Sequence, residues 1–201
     1  MNASPYKEKP NQPQSHDALI IVDVQNDFLP GGSLAVSDGN DILPVLNTYI
    51  KIFDENNLPI IATRDWHPAD HCSFNKAGGI WPDHCVAGTV GAAFASKLAL
   101  PEKTLVISKA TSAEKEAYSG LDGTALNKNL KALGVRRVWI GGLATDYCVL
   151  NTVKDFLALS YPVILLQDAI KAVNVHPDDG ERAVQEMLDK GAISLTLADI
   201  L

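Results

Sequence analysis

Apolar positions along the chain fall into two alternating patterns. Ala18-Leu19-Ile20-Ile21-Val22 is a continuous, mostly β-branched run, too short for a confident helix and suited to a strand buried on both faces. Asp41 to Asn56 instead places Ile42, Val45, Leu46, Tyr49, Ile50 and Phe53 at helical spacing behind Asn40 as a cap. Leu58–Thr63 predicts a second strand, followed by a long loop from Arg64 to Thr89 holding prolines, glycines, tryptophans and histidines. A loop of that length in a compact domain is usually functional. The alternation then resumes. Strands are predicted at Thr104–Ser108, Arg137–Gly141, Val163–Leu166 and Ile193–Leu195, and helices at Thr124–Leu133, Asp146–Leu159 and Pro177–Lys190.

Strands separated by helices require crossover connections, so the pattern predicts a three-layer α/β/α, Rossmann-like fold. Its mainly parallel sheet has about six strands and helices on both faces. Ligands in such sheets bind at the carboxyl ends of the strands, where Asp23, Lys109 and the turn from Gly141 to Cys148 are delivered, with Asp65 after another strand. No internal repeat or low-complexity tract interrupts the pattern, and Gly31-Gly32 lacks the spacing of a dinucleotide-binding turn.

Composition narrows the partners. The chain has 201 residues, 46 % of them hydrophobic and 20 % charged, enough for one well-filled domain over residues 17–201. Residues 1–16 hold three prolines and little that is apolar, and read as a flexible N-terminal arm. The net charge of −7 lacks the basic excess that nucleic acid or an anionic membrane would attract, so a small-molecule partner is expected. With no apolar run of membrane-spanning length and no signal peptide, the expected location is cytoplasmic. The three cysteines, Cys72, Cys85 and Cys148, are too few and odd in number for a disulfide framework.

Cys148 is the candidate nucleophile. It follows a glycine-rich turn and falls in the first turn of a predicted helix capped by Thr145 or Asp146, where the helix dipole favours thiolate and free backbone N–H groups can hold an oxyanion. Its bland alternative is a small buried core thiol. Asp23, ending an apolar strand, would have its pKa raised by burial and could accept and return a proton; equally, a strand-end acid can cap a backbone amide. Lys109 is a surface lysine by default, and becomes functional only if folding brings it beside both anions.

Three of the five histidines, His67, His71 and His84, cluster in the long loop with Asp65. One carboxylate and three imidazoles suit zinc, iron or manganese. Two other readings stand beside that one: a structural zinc site of His71-Cys72 and His84-Cys85, or histidines that merely hydrogen-bond in a polar loop. Phe28, Trp66 and Trp81 could sandwich a planar ring or simply shield the loops, and Tyr118 could join them. His176, before Pro177, is assigned a structural role.

Taken together, Val22-Asp23-Val24-Gln25-Asn26-Asp27-Phe28, Arg64-Asp65-Trp66-His67-Pro68 with Asp70-His71, Trp81-Pro82-Asp83-His84-Cys85-Val86, Lys109 and Gly142-Leu143-Ala144-Thr145-Asp146-Tyr147-Cys148-Val149 resemble the nicotinamidase branch of the isochorismatase-like cysteine hydrolases. The resemblance implies a catalytic triad of Asp23, Lys109 and Cys148 and a divalent metal, zinc foremost, held by Asp65, His67, His71 and His84. It also implies a cis peptide between Leu143 and Ala144, and an oxyanion hole from the Ala144 and Cys148 amides. Phe28 and Trp81 would flank a pyridine ring, with Leu143 and Tyr118 completing the substrate pocket. The implied reaction is hydrolysis of nicotinamide, and of its near isostere pyrazinamide, through a thioester, within NAD salvage; a homo-oligomer is compatible with it. Asp83, where the family pattern has a neutral residue, puts the local geometry at His84 in question. Two alternatives remain. An N-carbamoyl or ureido amide hydrolase would keep the triad without the metal cluster, and a non-catalytic metal- or ligand-binding protein would leave Cys148 unreactive.

Overall fold

Every residue of the run Ala18–Val22 is buried, as its unbroken apolar character requires. Leu19 and Ile21 face one layer and Ala18, Ile20 and Val22 the other, because successive side chains of a strand point to opposite faces. The computed structural model describes residues 11–201. Its six strands are β1 (Asp17–Val22), β2 (Ile60–Asp65), β3 (Leu105–Lys109), β4 (Arg137–Leu143), β5 (Val163–Lys171) and β6 (Ile193–Leu195). They form one all-parallel sheet in the order β3-β2-β1-β4-β5-β6.

Helix α1 (Ile42–Glu55) covers one face through Leu46, Tyr49 and Phe53, joined by the short α5 (Leu197–Ile200). The other face is covered by α2 (Leu126–Ala132), α3 (Leu150–Ala158) and α4 (Asp179–Asp189), which bring Leu130, Phe156 and Met187 onto Ile20 and Ile140. Burial of these two apolar layers is the main driving force for the fold. The strand order reverses direction between β1 and β4, and the crevice outside that switch point is where a parallel sheet of this kind opens a site.

Several boundaries differ from the expectations in ways that matter. Strands β2 and β3 run on to Asp65 and Lys109, so both side chains are delivered by the sheet and not by loops. The predicted caps are not used. Helix α1 enters from a turn at Gly39–Asp41, and Asp146 sends its carboxylate to the amides of Val173 and Asn174. The helix carrying Cys148 begins as one wide π turn, Thr145–Val149, before α3. At the amino ends of the strands, the last residues of the arm are tied to the fold: Gln12 bonds Ile200 of α5 and Arg137 of β4, and the His16 carbonyl accepts the Arg136 amide. The rest of that arm, Met1–Pro10, lies outside the described residues. Among the described residues no helix is long and apolar enough to cross a membrane.

Candidate active site

Asp23, the first residue beyond β1, sits at φ 49° and is fully buried. Its amide donates to the Thr63 carbonyl, its Oδ1 accepts from Thr63 Oγ1 at 2.7 Å, and its Oδ2 faces Lys109 Nζ at 3.0 Å. Lys109, 1 % exposed, also donates to Asp65 Oδ1 at 2.5 Å, to the Ala117 carbonyl at 3.1 Å and towards Cys148 Sγ at 3.3 Å. The expected juxtaposition of Asp23, Lys109 and Cys148 is therefore present. It is created by sheet order: three strand ends and the turn after β4 meet at one point. Gly142 makes the last approach possible. It pairs with Val22 at φ 128°, and a Cβ there would lie 2.1 Å from the Val22 carbonyl oxygen. The Leu143–Ala144 peptide that follows is cis.

Burial sets the protonation of this trio. It pushes the Asp23 carboxyl up, against the pull of Lys109 and with help from Asp65. Burial would lower the Lys109 ammonium, but the two carboxylates outweigh it and hold the group charged. The Cys148 thiol is raised well above its ordinary range by burial; Lys109 opposes this and Asp23 and Asp65 add to it. The helix start favours thiolate, but loss of water and the two neighbouring carboxylates outweigh it. The resting thiol keeps its proton.

A second group of donors lies next to it. The carboxylate of Asp65 and one ring nitrogen each of His67 and His84 lie within 4.8 Å of one another, all buried. His67 Nδ1 donates to the His84 carbonyl at 3.0 Å and His84 Nδ1 to the Pro82 carbonyl at 2.8 Å, which leaves both Nε2 atoms as acceptors. His67 Nε2 is buried and has no hydrogen-bond partner among the described residues. Burial also pushes His67 down to about 4, so its ring is the neutral, ligating form. An orphaned imidazole nitrogen beside a carboxylate and a second imidazole fits a divalent ion. His71 differs from expectation. Its ring stacks on His67 with centroids 4.3 Å apart, but its Nε2 donates to the Lys115 carbonyl at 3.1 Å while Nδ1 accepts from the Ser73 amide. It is adjacent to the converging trio but not aimed into it.

The alternative zinc site of two cysteines and two histidines is not formed: among the described residues, neither Cys72 nor Cys85 belongs to any cluster able to hold an ion. Cys85 packs in the core, its thiol raised by burial. Asp83 pairs with Lys76 on the surface, while His84 Nδ1 is held by the Pro82 carbonyl.

Both groups open on one small cavity walled by Phe28, Trp81, Tyr118 and Tyr147, with Asp65 and His84 on its lining together with Ala144 and Cys148. Trp81 Nε1 donates to Tyr118 Oη at 3.1 Å and stands edge-on to Tyr147 at 5.0 Å. Of its two expected roles Trp66 takes the shielding one: it lies under the Arg64 guanidinium, 3.6 Å from its ring, packed against the core and away from the cavity. Leu143, expected in the substrate pocket, turns its side chain into the core.

Set against known proteins, residues 17–199 match the isochorismatase domain model. The chain belongs to the isochorismatase family. Within that family it is 36 % identical to the nicotinamidase of Escherichia coli K12, over 90 % of this chain and 95 % of that one. It superposes with TM-score 0.87 on the Pyrococcus horikoshii pyrazinamidase solved with zinc, at 49 % identity over 90 % of this chain and 99 % of that one. The L. infantum protein solved with nicotinate matches equally well, with TM-score 0.87 and 35 % identity over 94 % and 98 % of the two chains.

Four supporting residues escaped the sequence reading. Gln25, fully buried, accepts from the Asp65 amide and donates to the Asp65 and Ala92 carbonyls, all within 2.9 Å. Asp27 accepts the Cys85 amide at 2.7 Å and so fixes the residue after His84. Thr63 holds Asp23, and Tyr147 walls the cavity. For Gln25 the available signal was a polar side chain three residues past an apolar strand, beside the apolar Val24.

Proposed function

We propose that this protein is a metal-dependent cysteine amidase that hydrolyses nicotinamide to nicotinate and ammonia, and also accepts pyrazinamide. One observation carries the proposal: a single cavity with aromatic walls is lined both by the ion-binding donors Asp65 and His84 and by the Cys148 thiol. A planar pyridine carboxamide has the matching polarity, a ring nitrogen at one end and an amide carbon at the other. The names of the relatives above agree with that reading.

In this mechanism Asp23 takes the thiol proton as Cys148 Sγ attacks the carboxamide carbon. Lys109, 3.3 Å from Sγ, stabilises the sulfur as its charge develops. The amides of Ala144 and Cys148 receive the oxyanion. As the C–N bond breaks, Asp23 returns the proton to the leaving nitrogen and ammonia departs, leaving a thioester. Asp23 then takes a proton from water as its oxygen attacks the thioester carbonyl; the C–S bond breaks, the thiolate recovers the proton and nicotinate leaves. Asp23 suits both duties because burial raises its proton affinity while Lys109 keeps it ionisable. Asp65, His67 and His84, with His71 adjacent, would hold a divalent ion, which we assign as zinc; it would supply Lewis-acid anchoring of the substrate's ring nitrogen. Phe28, Trp81 and Tyr118 clamp the ring. The product connects the protein to NAD salvage.

A substrate panel tests the assignment. Ammonia release by zinc-loaded protein is expected from nicotinamide and pyrazinamide, and not from N-carbamoyl or ureido amides. Turnover of the latter alone would replace the substrate while keeping the triad.

A further inference from the structure

His67 belongs to a second set of donors. One of its ring nitrogens, one of His71 and a carboxylate oxygen of the half-buried Glu116 also lie within 4.8 Å of one another. Of the two His67 nitrogens, Nδ1 is engaged by the His84 carbonyl, and Nε2 is the buried atom without a hydrogen-bond partner among the described residues, on a side chain only 1 % exposed. Glu116 comes from the segment between β3 and α2, and its neighbours hold both halves of the site. The Lys115 carbonyl accepts from His71 Nε2, and the Ala117 carbonyl accepts from Lys109 Nζ. Glu116 Oε1 itself accepts the Ala117 amide at 2.9 Å, which fixes the side chain yet leaves most of the carboxylate's acceptor capacity unused.

The charge balance of the site points the same way. Of the candidate ligands Asp65, His67 and His84, Asp65 alone is anionic, and its Oδ1 is already shared with the Lys109 ammonium at 2.5 Å. A dication held by this half-offset carboxylate and neutral imidazoles would sit in a buried site with excess positive charge. A carboxylate near His67 and His71 relieves that excess.

We infer that Glu116 is a second carboxylate of the metal centre, facing the bound dication from the His71 side. The inference rests on the reading of Asp65, His67 and His84 as ligands. Glu116→Gln preserves length and the acceptor for the Ala117 amide while removing the charge. Zinc affinity, measured by competition with a chromogenic chelator on the full chain, is expected to fall about tenfold in this variant. The metal-free melting temperature should stay that of the wild type while the rise on adding zinc shrinks. Glu116→Ala should weaken zinc at least as much. Wild-type zinc affinity in both variants, with Asp65→Asn weakened in parallel, would overturn the role of Glu116 and leave the Asp65 centre standing. Unchanged zinc affinity in Asp65→Asn, or no zinc uptake by the wild type, would overturn the centre and this inference with it.

Discussion

Lys109 shows how much of this site depends on one buried charge. Its ammonium lies within 3.0 Å of carboxylate oxygens on Asp23 and Asp65, on side chains 6 % exposed or less. Removing it would leave two carboxylates facing each other without water or a counter-ion. Lys109→Met, similar in volume, is therefore expected to destabilise the metal-free protein by about 3–5 kcal/mol in urea unfolding and to abolish turnover. A loss below ~1 kcal/mol would mean that the pair is already relieved by protonation. The sequence exposes Asp23 and Cys148 through local context, a polar end to an apolar strand and a thiol at a helix start. Local context alone does not expose the role of Lys109, which entered only through the family resemblance, because a lysine at a strand end is ordinarily solvated and here the pairing of β2 with β3 brings it beside Asp65. The protonated state of Cys148 was hidden for the same reason: its cause is a contact between distant segments.

At the scale of elements, the turn carrying Cys148 is clipped to the far side of the cavity by Asp146. Its two carboxylate oxygens accept the amides of Val173 at 2.9 Å and Asn174 at 2.8 Å, and Val173 lines the cavity. Asn174 in turn accepts the Gly180 amide near the start of α4. Asp146→Ala frees both amides, so the wall at Val173 and the nucleophile turn should lose their common reference. The expected result is a fall of roughly 10- to 100-fold in kcat/KM for nicotinamide, with the fold retained in circular dichroism. Unchanged kinetic constants would show that the π turn holds itself. The strands and α1 were legible because two-sided burial and a 3.6-residue period leave direct marks on composition. The π turn, the reach of β5 to Lys171 across Gln167 and Asp168, and the use of Asp146 as a clip left none, since each is decided by tertiary partners.

For the whole molecule, the proposed ion ties the end of β2 to the loop at His84, so metal and fold stability are linked. Chelation of a zinc-loaded sample should lower the melting temperature. At a free zinc concentration 100 times the dissociation constant the stabilisation is about 2.7 kcal/mol, or roughly 5–10 °C for a domain of this size. Identical melting curves with and without chelator would contradict a bound ion in the folded protein. The parallel sheet and its two helical layers were readable from alternation alone, while the convergence of four distant segments on one cavity required the strand order.

The most direct test of the account is ammonia release from nicotinamide by zinc-loaded wild-type protein and by Cys148→Ala, with metal content measured on both samples. The account predicts steady release by the wild type and loss of at least ~10³-fold in kcat for Cys148→Ala, at equal zinc content and equal fold. Undiminished release by Cys148→Ala would contradict the cysteine mechanism, and no release by a folded, zinc-loaded wild type would contradict nicotinamide as its substrate.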